Sequence, residues 1–214
     1  MFSSYLVYLV FKFKLKSKVS SKYPSSELIG TVLAMSRKKR KRRKPNPQQQ
    51  SFSTFVDVDA KLQQAVSLYQ ANQLQQAEQI CRQILRDNSQ HADALHLLGV
   101  IAHQVGDYRI ATSLIAQAIE IDSNQSSFFY NVGNALREQG RLEESVDAYR
   151  QAIEHQPKFA GAHNNLGIAL QEQGRLEESI DAYQKAIEIQ PDHADAYNNV
   201  GKCTERTRKV GGID

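Results

Sequence analysis

The sequence predicts an all-α protein of stacked helix hairpins, preceded by a basic segment expected to be largely disordered. Three observations lead there. The words "EQGRLEES" at 138–145 return unaltered at 172–179. Apolar residues around them recur at helical spacing. The charge is divided: residues 1–57 carry 13 Lys/Arg against Glu27 and Asp57, whereas residues 58–214 carry 14 against 21 Asp/Glu. A cationic segment of +11 thus precedes a mildly acidic body of −7.

Within residues 1–57, the apolar run "SYLVYLVF" is too short to span a bilayer. Lys12, Lys14, Lys16 and Lys18 follow that run, whereas a secretory signal places its charge before the apolar core. With neither span nor signal, the expected location is the cytoplasm. The alternation in "FKFKLKSKV" suits a strand or a membrane-surface contact, but nothing obvious pairs with it. Next, Arg37, Lys38, Lys39, Arg40, Lys41, Arg42, Arg43 and Lys44 form eight consecutive cations that repel one another. Pro45, Pro47 and three Gln follow and offer nothing to a core, so this stretch reads as a tail or linker. The octet can contact phosphates of nucleic acid or an anionic membrane weakly, and would suit a nuclear address, but reads equally well as a solvated tail. No aromatic residue interleaves it, which argues against base stacking. Met35 stands just ahead, and one reading starts the natural chain there; mass spectrometry of the native N-terminus tests it.

From residue 58 the chain repeats. Laid over itself at a shift of 34, residues 131–157 match residues 165–191 at 20 of 27 positions. The same phase gives units at 58–91, 92–125, 126–159 and 160–193, then a partial unit or capping helix at 194–209 and a tail at 210–214. Each unit holds two amphipathic helices: Phe129, Val132 and Leu136 mark the first of unit three, and Leu142, Val146, Tyr149, Ala152 and Ile153 the second. Between them stands Gly140, matched by Gly106, Gly174 and Asn72, the residue types that most easily enter the left-handed conformation closing a helix. Glu143, Glu144, Glu177 and Glu178 fall in the first turn of second helices, where the helix dipole favours them. Pro157 and Pro191 end those helices. Two columns stay small: Ala65, Gly99, Gly133, Gly167 and Gly201 in first helices, and Ala77, Ala111, Ser145 and Ser179 in second helices. There the two backbones are predicted to approach closely.

This set of columns resembles the tetratricopeptide repeat, a 34-residue helix-turn-helix module, over about residues 58–205. Lys61 and Gln64 depart from it, standing where large apolar residues are expected, so the first helix should be frayed or serve as a polar cap. The resemblance implies a right-handed superhelix, because no single unit can bury its own apolar face. It also implies that first helices line a concave surface.

On that surface the expected peptide-binding residues are Asn131, Asn165 and Asn199, spaced by 34, with Asn134, Asn164, Asn198, Tyr130 and Arg137 adding contacts. An amide can donate to and accept from a peptide backbone at once. The row is similar to the asparagine ladder of O-linked N-acetylglucosamine transferases, where it holds substrate peptides. It lapses to Leu97 and Gln63 in the first two units, and the same residues would equally serve as polar groups on a solvated face. The basic residues of a chaperone-type carboxylate clamp are missing from the matching positions.

No phosphate loop, nucleophile motif or acid pair is present in the sequence, so a non-enzymatic scaffold binding a protein or peptide partner is the expectation. No cofactor is expected. Cys81 and Cys203 have no metal-binding spacing, and His96 and His103, seven residues apart, make no convincing pair. The alternative is the N-terminal, substrate-recognising part of a glycosyltransferase or sulfotransferase, since similar repeats often precede such domains.

Overall fold

The computed structural model describes residues 47–210, with side chains from 58 to 208. The cationic run Arg37–Lys44 and Met35 lie outside the described residues. Nine helices and no strand occur among those described: α1 Pro47–Gln70, α2 Leu74–Asp87, α3 Ala92–Gln104, α4 Tyr108–Ile121, α5 Ser126–Glu138, α6 Leu142–His155, α7 Ala160–Glu172, α8 Leu176–Ile189 and α9 Ala194–Val210. The odd-numbered helices are the first helices of the five units. One boundary differs from the sequence reading, because α1 begins at Pro47, ahead of residue 58. Proline suits the first position of a helix, where its missing N–H would have no partner, and "QQQSFSTFVD" holds no further Pro or Gly to stop the turn. Helix α1 then runs unbroken past Lys61 and Gln64. Leu62, Leu68 and Tyr69 pack around Ala65 and Ala77, while Gln64 stays exposed.

All four turns within hairpins close in the same way. Asn72, Gly106, Gly140 and Gly174 take φ values of 58, 85, 70 and 80°. That conformation lets the next N–H reach back to the helix: Arg141 N–H donates to the Leu136 carbonyl at 3.0 Å, and Gly140 N–H to that of Arg137 at 2.8 Å. The pair of bonds satisfies carbonyls that a helix end leaves free. Equivalent long bonds join Gln73 to Leu68, Asp107 to Ala102 and Arg175 to Leu170. The chain therefore reverses in a few residues.

The small columns sit where the backbones meet. A Cβ on Gly99 would lie 2.6 Å from Ile115, one on Gly133 2.7 Å from the Tyr149 ring, and one on Gly167 2.5 Å from the Tyr183 ring. Facing them, Ala77, Ala111, Ser145 and Ser179 are fully buried. Ser145 Oγ donates to the Gly133 carbonyl at 2.9 Å, which pins α6 to α5.

Each helix packs on its sequence neighbours. First helices of adjacent units also touch each other, α1 with α3, α3 with α5, α5 with α7 and α7 with α9. Second helices of adjacent units stand further apart, α6 reaching α8 only by side chain, with the Arg150 guanidinium 3.6 Å from the Glu178 carboxylate. The stack is thus open rather than a closed bundle, and because its first helices crowd while its second helices splay, it curves with the first helices inside.

Candidate functional site

The inner curve carries a chain of side-chain amides. Asn131 Nδ2 donates to His96 Nε2 at 2.8 Å, across the boundary between units two and three. Asn165 Nδ2 donates to Tyr130 Oη at 3.1 Å and to Asn134 Oδ1 at 2.9 Å, across the next boundary. Asn199 Nδ2 donates to Asn164 Oδ1 at 3.3 Å, across the last. Each of the three has a partner 35 residues back, and Asn165 a second one 31 back. One amide per unit therefore holds the preceding first helix.

Most of the predicted site residues join this seam. Asn164 Nδ2 donates to Asn165 Oδ1 at 3.1 Å, and Tyr149 Oη donates to Asn134 Oδ1 at 2.7 Å. The Tyr149 phenol is fully buried, which pushes its pKa above the usual range. Asn164 itself is buried, and the three ladder residues are half-buried. Arg137 is drawn to Glu138 at 2.7 Å instead. Asn198 is exposed on α9, outside the chain of bonds.

Two participants were not among the predicted site residues. His96 stacks on Phe128 with ring centroids 4.4 Å apart, and burial lowers its pKa to about 4. An amide N–H can only donate, so Nε2 accepts and the neutral ring holds its proton on Nδ1. Tyr149 was visible in sequence only as a core residue. The available signal was the column before the ladder, His96, Tyr130 and Asn164, which is polar in three successive units. His103 rests instead against Tyr108, with centroids 5.3 Å apart. Among the described residues no three His, Cys, Asp or Glu gather as a metal site, and no helix is long and apolar enough to cross a membrane.

Gln139 and Gln173, the same position in units three and four, differ. Gln139 Nε2 donates to the Tyr108 carbonyl at 2.9 Å, to the Ala135 carbonyl at 2.9 Å and to Thr112 Oγ1. Gln173 Nε2 is buried without a partner. The position matching Thr112 is Val146, which has no hydroxyl.

An open stack of hairpins with an amide-lined inner curve defines a helical-repeat protein of the solenoid class. Family models described as "Tetratricopeptide repeat" match residues 62–127 and 160–193, and one described as "TPR repeat" matches residues 133–174. The chain is a tetratricopeptide repeat protein. No curated protein matches its sequence. Among solved structures it is similar to MamA, at 22% identity and a TM-score of 0.63 over 67% of this chain and 84% of that one. It is also similar to YrrB, a TPR protein with an unusual peptide-binding site, at 22% identity and 0.61 over 69% and 76%. A mutant O-GlcNAc transferase of Thermobaculum terrenum shares 26% identity at 0.59 over 61% of this chain, which spans 26% of that protein.

Proposed function

We propose that this protein is an interaction scaffold that holds an extended peptide or partner segment along its inner curve. The observation that carries the reading is the state of the ladder amides. Asn131 and Asn199 each donate once to the preceding helix and Asn165 twice, while the Oδ1 atoms of Asn131 and Asn199 have no hydrogen bond among the described residues. These half-buried residues repeat once per unit. Neighbouring helix axes pack ~8–10 Å apart, about the reach of three residues of extended chain at ~3.3 Å each. A bound strand would thus meet an amide at a regular interval, through its backbone rather than its side chains. The likeness to YrrB, whose structure is described as having a peptide-binding site, supports the same reading.

The test is peptide selection on the full chain, followed by a nuclear magnetic resonance titration of the selected peptide. The side-chain amide signals of Asn131, Asn199 and the exposed Asn198 should move. A footprint confined to the outer helices α6 and α8 would overturn the reading. An alanine variant of Asn198 should weaken binding without lowering the melting temperature. Replacing Asn131 or Asn165 also cuts a bond between helices, so melting must be followed beside binding.

The transferase likeness supports a second reading, in which the stack recognises substrate for a longer enzyme. Sequencing beyond codon 214 for a transferase frame tests it. The run Arg37–Lys44 adds an anion contact by charge alone. Its binding to RNA, DNA or anionic vesicles should collapse as salt is raised.

A further inference from the structure

Six glycines of the stack are required by the fold: Gly106, Gly140 and Gly174 turn the chain at positive φ, and a Cβ on Gly99, Gly133 or Gly167 would run into the side chain seated on it. Gly161, in the first turn of α7, has neither reason. Its φ lies outside the left-handed region, and a Cβ there would meet Phe159 Cε2 at 3.4 Å and Tyr130 Oη at 3.7 Å, contact without overlap. The matching positions of units two, three and five hold exposed Asp93, Ser127 and Asp195. Glycine weakens a helix relative to any of these. What it does is leave Phe159 and the Tyr130 hydroxyl uncovered by α7 on the inner curve, one turn from Asn165.

Three features meet at that spot. The Tyr130 and Phe159 rings lie 4.8 Å apart, tilted by 40°, and both side chains are half-buried. The matching pairs at the neighbouring boundaries are His96 with Gln125 and Asn164 with His193, so this pairing of phenol and phenyl belongs to one boundary among the described residues. Tyr130 Oη accepts from Asn165, while its own hydrogen has no acceptor among the described residues. Asn165, lastly, spends its amide within the seam: both donated bonds go to α5, and Oδ1 accepts from Asn164. Asn131 and Asn199, on either side, keep a free Oδ1. The middle rung therefore offers a passing backbone a donor, the Tyr130 O–H, and a poorer acceptor than its neighbours.

We propose that this spot is a proline subsite: the bound segment lays a proline ring on Tyr130 and Phe159 over Gly161, and the Tyr130 O–H donates to a carbonyl beside it. The inference rests on the reading of the inner curve as a peptide groove. Proline has no backbone N–H, so it is the residue that loses least where acceptors are poorest. Its carbonyl accepts as any other does. The ring is apolar and its φ is already fixed, which suits an aromatic surface and lowers the entropy cost of ordering an extended segment. A side chain at 161 the size of the Asp or Ser of the other units would stand where that ring lies.

Selection from a random peptide library on the full chain, followed by titration of the enriched peptide and of its counterpart with proline changed to alanine, tests this. A proline should recur at one position, and its loss should weaken binding about tenfold. Gly161→Leu fills the subsite and should bring the proline peptide down to the affinity of the alanine one, which itself should change by less than about twofold. Gly161→Ala, whose Cβ fits, should act in the same direction with a smaller loss and no fall in melting temperature. Tyr130→Phe keeps the ring and should cost about fivefold for one lost hydrogen bond; its melting is followed as well, because Tyr130 Oη also holds Asn165. Enriched peptides that shift the Asn131 and Asn199 signals without a preferred proline, or a proline preference that Gly161→Leu leaves intact, overturn the subsite and leave the groove standing. Peptides that footprint on α6 and α8, or no enrichment at all, overturn both.

Discussion

Units three and four are nearly the same text, yet their residues do not do the same work. Gln139 is bonded three ways and Gln173 Nε2 is buried with no partner. Asn131 meets a half-buried histidine ring, and Asn165 meets a phenol and an amide. Ser145 bonds within its own hairpin at Gly133, whereas Ser179 Oγ lies 3.2 Å from Cys203 Sγ of the next unit. What a unit says about itself gives the same hairpin each time. What it contributes to the stack depends on the unit beside it, because each of these interface residues is half of a pair whose other half was written 24 to 35 residues away.

If hairpins are local, the glycine column should respond alike in both units. Gly133→Val and Gly167→Val force a branched side chain into a tyrosine ring that cannot retreat, and each should cost more than about 3 kcal/mol in urea unfolding. The comparison breaks if one of the two is tolerated.

If interfaces are not local, acid should act on one boundary more than on the next. His96 has an ordinary pKa of 6.5 when unfolded and about 4 when folded. Between those values the unfolded chain binds a proton that the folded chain refuses. Stability from this group is therefore complete above pH 6.5 and falls by about 1.4 kcal/mol per pH unit as pH drops toward 4. The matching positions are Tyr130 and Asn164, so hydrogen exchange should loosen first where α3 meets α5. His96→Gln should remove this part of the pH slope.

Smaller effects sharpen the contrast. Gln139→Ala should cost about 1 kcal/mol, while Gln173→Ala should cost less, since its buried N–H has no bond to lose. Equal losses would mean that the neighbouring Thr112 and Val146 do not matter. Lys185 pairs with Glu188 on an exposed face where unit three has Gln151 and Glu154. Lys185→Gln should change stability by less than about 0.5 kcal/mol, as solvent screens the pair.

The hairpins were legible because everything that specifies them falls within one unit. A left-handed Gly or Asn, two small columns and a helical period can be read without knowing what the unit touches. The start of α1 was not legible, because Gln and Ser following proline look like a linker while placing nothing in the way of a helix. The amide row was legible as a row, but not as a seam. In a single unit the Asn165 N–H has no partner in view, and only stacking sets it against Tyr130 and Asn134. His96 was harder still, since a lone histidine on a helix face announces neither its burial nor the amide one unit later.

The seam is the point on which both the curvature and the proposed groove depend. A double-mutant cycle on Asn134 and Asn165, each changed to Ala singly and together, measures it directly by chemical unfolding. The bond between the two amides predicts a coupling energy of about 1 kcal/mol. Strictly additive losses would contradict it, leaving the two residues as independent polar groups on a wetted surface.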